Sequence, residues 1–210
     1  MSQDIDLSER FPRRTQRRQE TRAKILKAAA RSFRKFGFGP TTMNAIAEAA
    51  DVHVTTLFTH FKNKRELAIS LNDASIARLE RLVEEAKGKT PFFDFFRDMA
   101  VQSAERIEHV SDPEGSLWSA LRQDAELAIA WVHFEDQQVA LLADYVAHEY
   151  GLDLKTDPRP ELVANLMLAS SRIAHRRWTQ HPAPDDLTAQ TRAAVDLAVT
   201  MCRAVLSGRG

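Results

Sequence analysis

Cysteine is nearly missing from this chain of 210 residues. Cys202 stands alone, which excludes a disulfide within the chain. A secretory signal and any run of 18 or more apolar residues are also missing, so no membrane partner is expected and a cytoplasmic location is. The chain holds no glycine-rich phosphate loop and no nucleophile elbow. Its seven histidines, His53, His60, His109, His133, His148, His175 and His181, show no spacing to cysteine or carboxylate that makes a strong metal signature, although His133 and Gln137 share a helix face. His109, His133 and His148 read as exposed or satisfied side chains. These gaps leave little for an enzyme to work with, and no cofactor or metal is expected. Sustained period-2 alternation is absent too, whereas apolar residues recur three and four apart through most of the chain, the pattern of an all-α protein. Neither an internal repeat nor a low-complexity tract is found.

Net charge is missing only in sum. The 29 Lys+Arg balance 29 Asp+Glu, but residues 1–70 carry +7 and residues 71–210 carry −7. Such segregation means that the N-terminal part seeks a polyanion while the remainder is solvated or meets another partner.

What is present first is a basic amphipathic helix from Thr21 to Phe36, with Ile25, Ala29, Phe33 and Phe36 on one face and Arg22, Lys24, Lys27, Arg31, Arg34 and Lys35 on the others. It stops at Gly37. The segment TTMNAIAEAADVHVTTLFTHFKNKREL, Thr41 to Leu67, then reads as two short helices joined by a tight turn and the start of a further one. Thr41 or Thr42 caps the second helix, which buries Met43, Ile46, Ala47 and Ala50. Asp51 and Val52 make the turn. The third helix, His53 to His60, is too short to stand alone and must be held by Leu57 and Phe61. Asn63 and Glu66, three apart, form a capping pair for a fourth helix.

The major groove admits one helix, and the first turn of a recognition helix offers short side chains to base edges. Here those are His53, Thr55, Thr56 and Thr59. Phosphates need donors, for which Thr42, His60, Lys62 and Lys64 are placed, with Arg13, Arg14, Arg17 and Arg18 able to reach an adjacent groove or strand. His53 and His60 are otherwise surface imidazoles, and the basic face is otherwise a solvated helix surface.

Beyond the fourth helix, which continues to Ala86, further helices are predicted at Pro91 to Val110, Leu117 to Gln123, Glu126 to Tyr150 with Gly151 as its stop, Pro160 to His181, and Asp185 to Leu206. The last two carry wide apolar faces: Leu162, Leu166, Ala169 and Ile173 on one, Leu187, Thr191, Ala194, Ala198, Met201 and Val205 on the other. Either these faces meet a second copy or they complete the protomer's own core.

The residues of the N-terminal part resemble the TetR-type (TetR/AcrR) transcriptional regulators. The likeness rests on a basic first helix ending in phenylalanine and glycine, then TTMNAIAEAADV, then TLF, then F-x-N-K-R-E-L, and it covers about residues 15–70. It implies that Thr42 and Lys64 clamp phosphates, that Asn44 and Thr55 or Thr56 face bases, and that Leu57, Phe61 and Leu67 are core. Three positions depart from the family pattern. Asp51 stands where glycine is common, Phe58 replaces a tyrosine whose hydroxyl contacts phosphate, and Val54 replaces a basic or polar residue and can touch a thymine methyl instead.

The resemblance further implies three parts: a flexible basic arm over residues 1–17, a three-helix helix-turn-helix domain over 18–66, and a helical bundle over 67–210 for ligand binding and dimerisation. In the family the last two helices form a four-helix interface with their twin, and a C₂ dimer suits a palindromic operator on double-stranded DNA. A ligand cavity is implied as well. Phe96, Met99 and Ser103 can line it, with Trp118, Leu121 and Arg122, then Trp131 and Phe134, then Arg172, His175 and Trp178. Each aromatic can equally be plain core, and Arg122, Arg172 and His175 either meet an anionic ligand group or pair with Asp or Glu. The WxxxLR segment and Trp178 resemble regulators that sense fatty acyl thioesters or other hydrophobic carboxylic ligands. The function implied is a ligand-responsive transcriptional regulator, a homodimeric repressor released by a hydrophobic acyl or aromatic effector. The rival is an effector-independent architectural or activating DNA-binding protein, which needs no pocket between residues 91 and 180.

Overall fold

A computed structural model describes residues 12–108, 125–180 and 187–208. Among them are eight α-helices and no strand: α1 (Pro12–Phe36), α2 (Met43–Ala49), α3 (Val54–His60), α4 (Lys64–Ala86), α5 (Phe92–Glu108), α6 (Ala125–Tyr150), α7 (Arg159–Gln180) and α8 (Leu187–Ser207). The short helix expected at Leu117 to Gln123 lies outside the described residues. No described helix is long and apolar enough to cross a membrane.

α1 is longer than the sequence pattern indicates. Proline is well tolerated in a first helical turn, and the Arg and Gln residues that follow are good helix formers. Gln16 donates to Glu20 at 3.0 Å, and the Thr21 hydroxyl donates to the Arg17 carbonyl at 2.9 Å. Residues 12–17, expected to belong to a flexible arm, are therefore the first turns of α1.

The other end of α1 brings a second correction. Gly37 adopts φ +82°, and its N–H reaches the Phe33 carbonyl at 3.0 Å, closing the helix with a left-handed residue that a side chain would oppose. This reversal turns the chain back so that Phe38, not Phe36, packs on Phe33, with ring centroids 5.2 Å apart. Phe36 is left 54% exposed under the Lys35 ammonium.

The chain divides into two compact units, with one break inside α4 between Leu71 and Asn72 and another inside α6 between Leu127 and Ala128. A domain boundary at residue 66 was expected. The first unit extends further because Leu67, Ala68 and Ser70 are buried, and Ser70 accepts a hydrogen bond from Arg22 Nη2 at 3.0 Å. Ile25, Ala29, Phe33, Ile46, Leu57 and Phe61 are its core side chains.

The second unit has one main core, built from Leu79 and Val83 of α4, Phe92 and Phe96 of α5, Leu142, Tyr145 and Val146 of α6, Val163 and Met167 of α7, and Val195, Val199 and Cys202 of α8. Tyr145 sits at its centre, its ring 5.6 Å from Phe92 and 5.2 Å from Phe95. Its hydroxyl is not stranded there, since it donates to the Thr90 carbonyl at 2.7 Å. Burial pushes the Cys202 thiol up to about 11, so it packs as a small apolar group and is a poor nucleophile.

On α8 the single wide face read from the sequence proves to be two. Leu187, Thr191, Val195, Ala198, Val199 and Cys202 point into the protomer, whereas Leu197, Met201 and Val205 point out. α7 divides likewise, with Val163, Ala164 and Met167 inward and Leu162 and Ile173 outward.

Candidate nucleic-acid interface

The short helices α2 and α3 are positioned by local caps and by three long side chains from elsewhere. Thr42 is extended at φ −107° and ψ 159°, and its hydroxyl oxygen accepts from the Ala45 N–H at 3.2 Å, which caps α2. Asp51 then takes φ +49°, a left-handed conformation for a residue with a side chain. Asparagine and aspartate tolerate that region better than other residues, though less well than glycine. Lys24 of α1 holds the turn, donating to the Asp51 carbonyl at 3.3 Å and to its carboxylate at 3.1 Å. The negative charge that the departure from glycine brings to this surface thus has a counter-ion.

Asp51→Gly removes both the strain and the charge. Because the bond from Lys24 to the backbone carbonyl survives, the substitution should stabilise the chain by about 1 kcal/mol and tighten its binding to DNA. Thermal unfolding and a DNA titration at one salt concentration check this, and a lowered melting temperature would count against it.

His53 caps α3 with its ring. Nδ1 accepts from the Thr55 N–H at 3.4 Å and lies 2.8 Å from the Thr55 hydroxyl. An Nδ1 that accepts a backbone N–H leaves Nε2–H as the donor of the ring. The Thr59 hydroxyl donates to the Thr56 carbonyl at 2.6 Å. Asn44, His53, Thr55, Phe58, Thr59 and Lys62 are exposed, while Val54, Thr56 and His60 are half-buried.

Two cations of this N-terminal part make structural ties. Arg22 stacks over the Phe61 ring at 4.3 Å and donates to the His60 carbonyl at 3.4 Å and to Ser70, so one guanidinium joins α1, the end of α3 and α4. Lys64, expected to clamp a phosphate, directs its ammonium at three carbonyls: Phe38 at 2.5 Å, Gly39 at 2.9 Å and Thr41 at 3.0 Å. It also lies 4.4 Å from the centroid of the Phe38 ring. An ammonium has three protons, and all three are engaged. Burial lowers its pKa below the ordinary lysine value. Lys64 thus fixes the loop that presents Thr42.

The capping pair read from the sequence is formed in part through a neighbour. Asn63 accepts from the Glu66 N–H at 2.9 Å, while Glu66 reaches back to the Lys62 N–H at 2.6 Å. Burial, then Arg18 and Arg22, lower the His60 pKa, so this imidazole is neutral at pH 7 and can offer a phosphate a hydrogen bond but no charge. Arg17 and Arg18 are exposed on α1; Arg13 and Arg14 lie in its first turn.

Eight of the residues expected to line an effector cavity are described. Phe96 is 1% exposed within the main core, with Met99 packed against it and Ser103 half-buried two turns on from Phe96. The Trp131 and Phe134 rings of α6 lie tilted to each other with centroids 4.9 Å apart. Arg172 pairs with Glu135, the carboxylate alternative among its two expected roles. His175 and Trp178 rings lie 6.1 Å apart, and Trp178 is buried with Ala104 and Leu187. Trp118, Leu121 and Arg122 lie outside the described residues. A separate cleft of about 340 Å³, not foreseen, opens between Pro91, Phe93, Tyr150, Arg203 and Leu206. Among the described residues no group of three or more His, Cys, Asp or Glu could hold a metal ion.

Comparison with known proteins matches residues 25–71 to the family described as bacterial regulatory proteins, tetR family, and residues 120–202 to the MftR C-terminal domain. The HTH-type transcriptional regulator TtgR of Pseudomonas putida is 48% identical over 199 residues, 88% of this chain and 92% of that protein. Among solved structures, a SmeT–triclosan complex, SmeT being a repressor of a Stenotrophomonas maltophilia efflux pump, matches with a TM-score of 0.65 at 19% identity, covering 87% of this chain and 91% of SmeT. Bacillus subtilis FadR in complex with stearoyl-CoA matches at 0.62 and 18%, covering 85% and 97%. At such identities the two structures show a shared fold.

Proposed function

The chain belongs to the TetR family of bacterial regulatory proteins, and we propose that it is a homodimeric repressor that holds a palindromic operator until a small hydrophobic molecule releases it. The observation that carries DNA binding is the outward face of α3, exposed, capped at its start and tied to α1 and α4 through Arg22, in a segment with twice as many basic as acidic side chains. Phosphate contacts fall to Thr42, Lys62, His60 and the arginines of α1, and base contacts to Asn44 and the face of α3.

The homodimer is supported by the outward apolar stripe of α7 and α8. Leu162, Ile173, Leu197, Met201 and Val205 are between 39% and 64% exposed, an arrangement that a second copy would cover. The effector is an acyl or aromatic compound, in keeping with the triclosan and stearoyl-CoA held by the two structural neighbours. It acts by population shift, favouring an arrangement in which α4, shared by both units, alters the spacing of the two recognition helices.

Selection from a random duplex pool tests this reading. It should return an inverted repeat whose half-site centres lie about 34–36 Å apart. Triclosan and stearoyl-CoA, added to the recovered complex, then serve as probes. The compound that releases the duplex should also raise the melting temperature of the free protein, by an amount worth about 2.7 kcal/mol at a hundredfold excess over its Kd. A pool that yields no enriched sequence would sink the repressor.

A further inference from the structure

The chemistry that α3 turns outward is not the polar edge that a threonine-rich recognition helix leads one to expect. Leu57 is fully buried, and Thr55 and Thr59, four residues apart, lie on the opposite side of the helix. Both hydroxyl protons are spoken for within the protein. In the tautomer whose Nδ1 accepts the Thr55 N–H, the Thr55 hydroxyl donates to that nitrogen across 2.8 Å, and the Thr59 hydroxyl donates to the Thr56 carbonyl at 2.6 Å. What remains free on each residue is a methyl group and oxygen lone pairs that can only accept. Beside them stands Phe58, 49% exposed, with Val54 one turn before it and half-buried. The outer surface of α3 is therefore apolar, with acceptors and no hydroxyl donor at positions 55 and 59.

Of the base pairs in the major groove, A·T offers a methyl group on thymine beside an N6–H₂ donor on adenine, whereas G·C offers the guanine acceptors N7 and O6 and the cytosine N4–H₂ donor but no methyl group. An acceptor-only threonine finds a donor on either pair, opposite adenine or cytosine, and places like against like opposite guanine, but only A·T also gives its methyl group an apolar partner. We infer that α3 selects A·T pairs in the operator chiefly by packing Thr59, Thr55 and Phe58 on thymine methyl groups. Donors for guanine or for thymine O4 come from the Nε2–H of His53 at the rim of this patch. This inference rests on the DNA-binding reading above and specifies which atoms carry its sequence preference.

The test uses the full chain and the duplex recovered from the random pool. Each thymine of a half-site is replaced in turn by deoxyuridine, which removes the methyl group and leaves pairing intact. At the contacted positions the affinity should fall about fourfold per methyl, the transfer value of one buried methyl-sized group. Thr59→Val keeps the methyl and discards the hydroxyl, so it should retain the discrimination of thymine from deoxyuridine. Thr59→Ser keeps the hydroxyl and discards the methyl, so it should lose that discrimination at one position while still binding. Equal affinity of the native protein for thymine and deoxyuridine operators at every position would overturn the inference and leave the regulator standing. Loss of discrimination in Thr59→Val with retention in Thr59→Ser would overturn it too, by assigning the readout to the hydroxyl. If no duplex is bound above background, both readings fall together.

Discussion

Leu197→Glu is expected to give a folded monomer that binds the operator a hundredfold or more weaker than the native chain. Leu197 is 64% exposed on the protomer, so a carboxylate there costs the fold itself little. In a dimer that buries the α7 and α8 stripe, the same carboxylate meets the apolar side chains of a second copy, and a charge taken out of water without a partner costs several kcal/mol. Two linked half-site contacts exceed one by factors of about 10² to 10⁴, which is the part lost when the protomers separate. Sedimentation and far-UV circular dichroism read the two halves of this result. Val195→Glu, two residues away and fully buried, should unfold the second unit instead. A Leu197→Glu protein that remains dimeric would remove the stripe from the interface.

The second large effect is expected at Lys64. Were it a phosphate contact, its loss would lower affinity modestly and reduce the slope of log K against log salt by about 0.9. Its ammonium instead satisfies the carbonyls of Phe38, Gly39 and Thr41. Hydrogen bonds to charged groups contribute about 1.5–3 kcal/mol each, and with partial exposure the lower end applies and the three do not add. Lys64→Met should therefore destabilise the first unit by about 2–4 kcal/mol and release the loop that carries Thr42. DNA affinity should fall tenfold or more with the salt slope unchanged. Denaturant titration and binding at three salt concentrations separate the alternatives, because a stable variant with a flattened slope would restore the phosphate role.

Lys64, like Arg22, acts through partners that lie far away in the chain. Arg22 reaches residues 38 and 48 positions on, and Lys64 reaches back 23 to 26. Helical periodicity places such residues on a polar face and says nothing about what that face meets. Leu197 went unrecognised for a related reason: α8 buries Val195, Ala198 and Val199 around it, and a pattern apolar on two sides does not reveal which side the protomer uses. Phe36 and Phe38 exchanged roles across a glycine, where a single left-handed residue resets the helical phase.

Local chemistry, by contrast, was readable directly. Interactions closed within four residues need only the right side chains at the right spacing, which is why the Asn63–Glu66 cap, the Thr42 cap, the stops at Gly37 and Gly151, the strained Asp51 and the order of the helices around the turn could be read from residues alone. These determine an all-α chain with a helix-turn-helix near its start. The tertiary structure alone decided which cations are structural ties, which apolar stripe stays exposed on the protomer, and which way the threonine hydroxyls of α3 turn. Each of these depends on what stands opposite a side chain in space, and burial and hydrogen-bond geometry set that only once the chain has closed on itself.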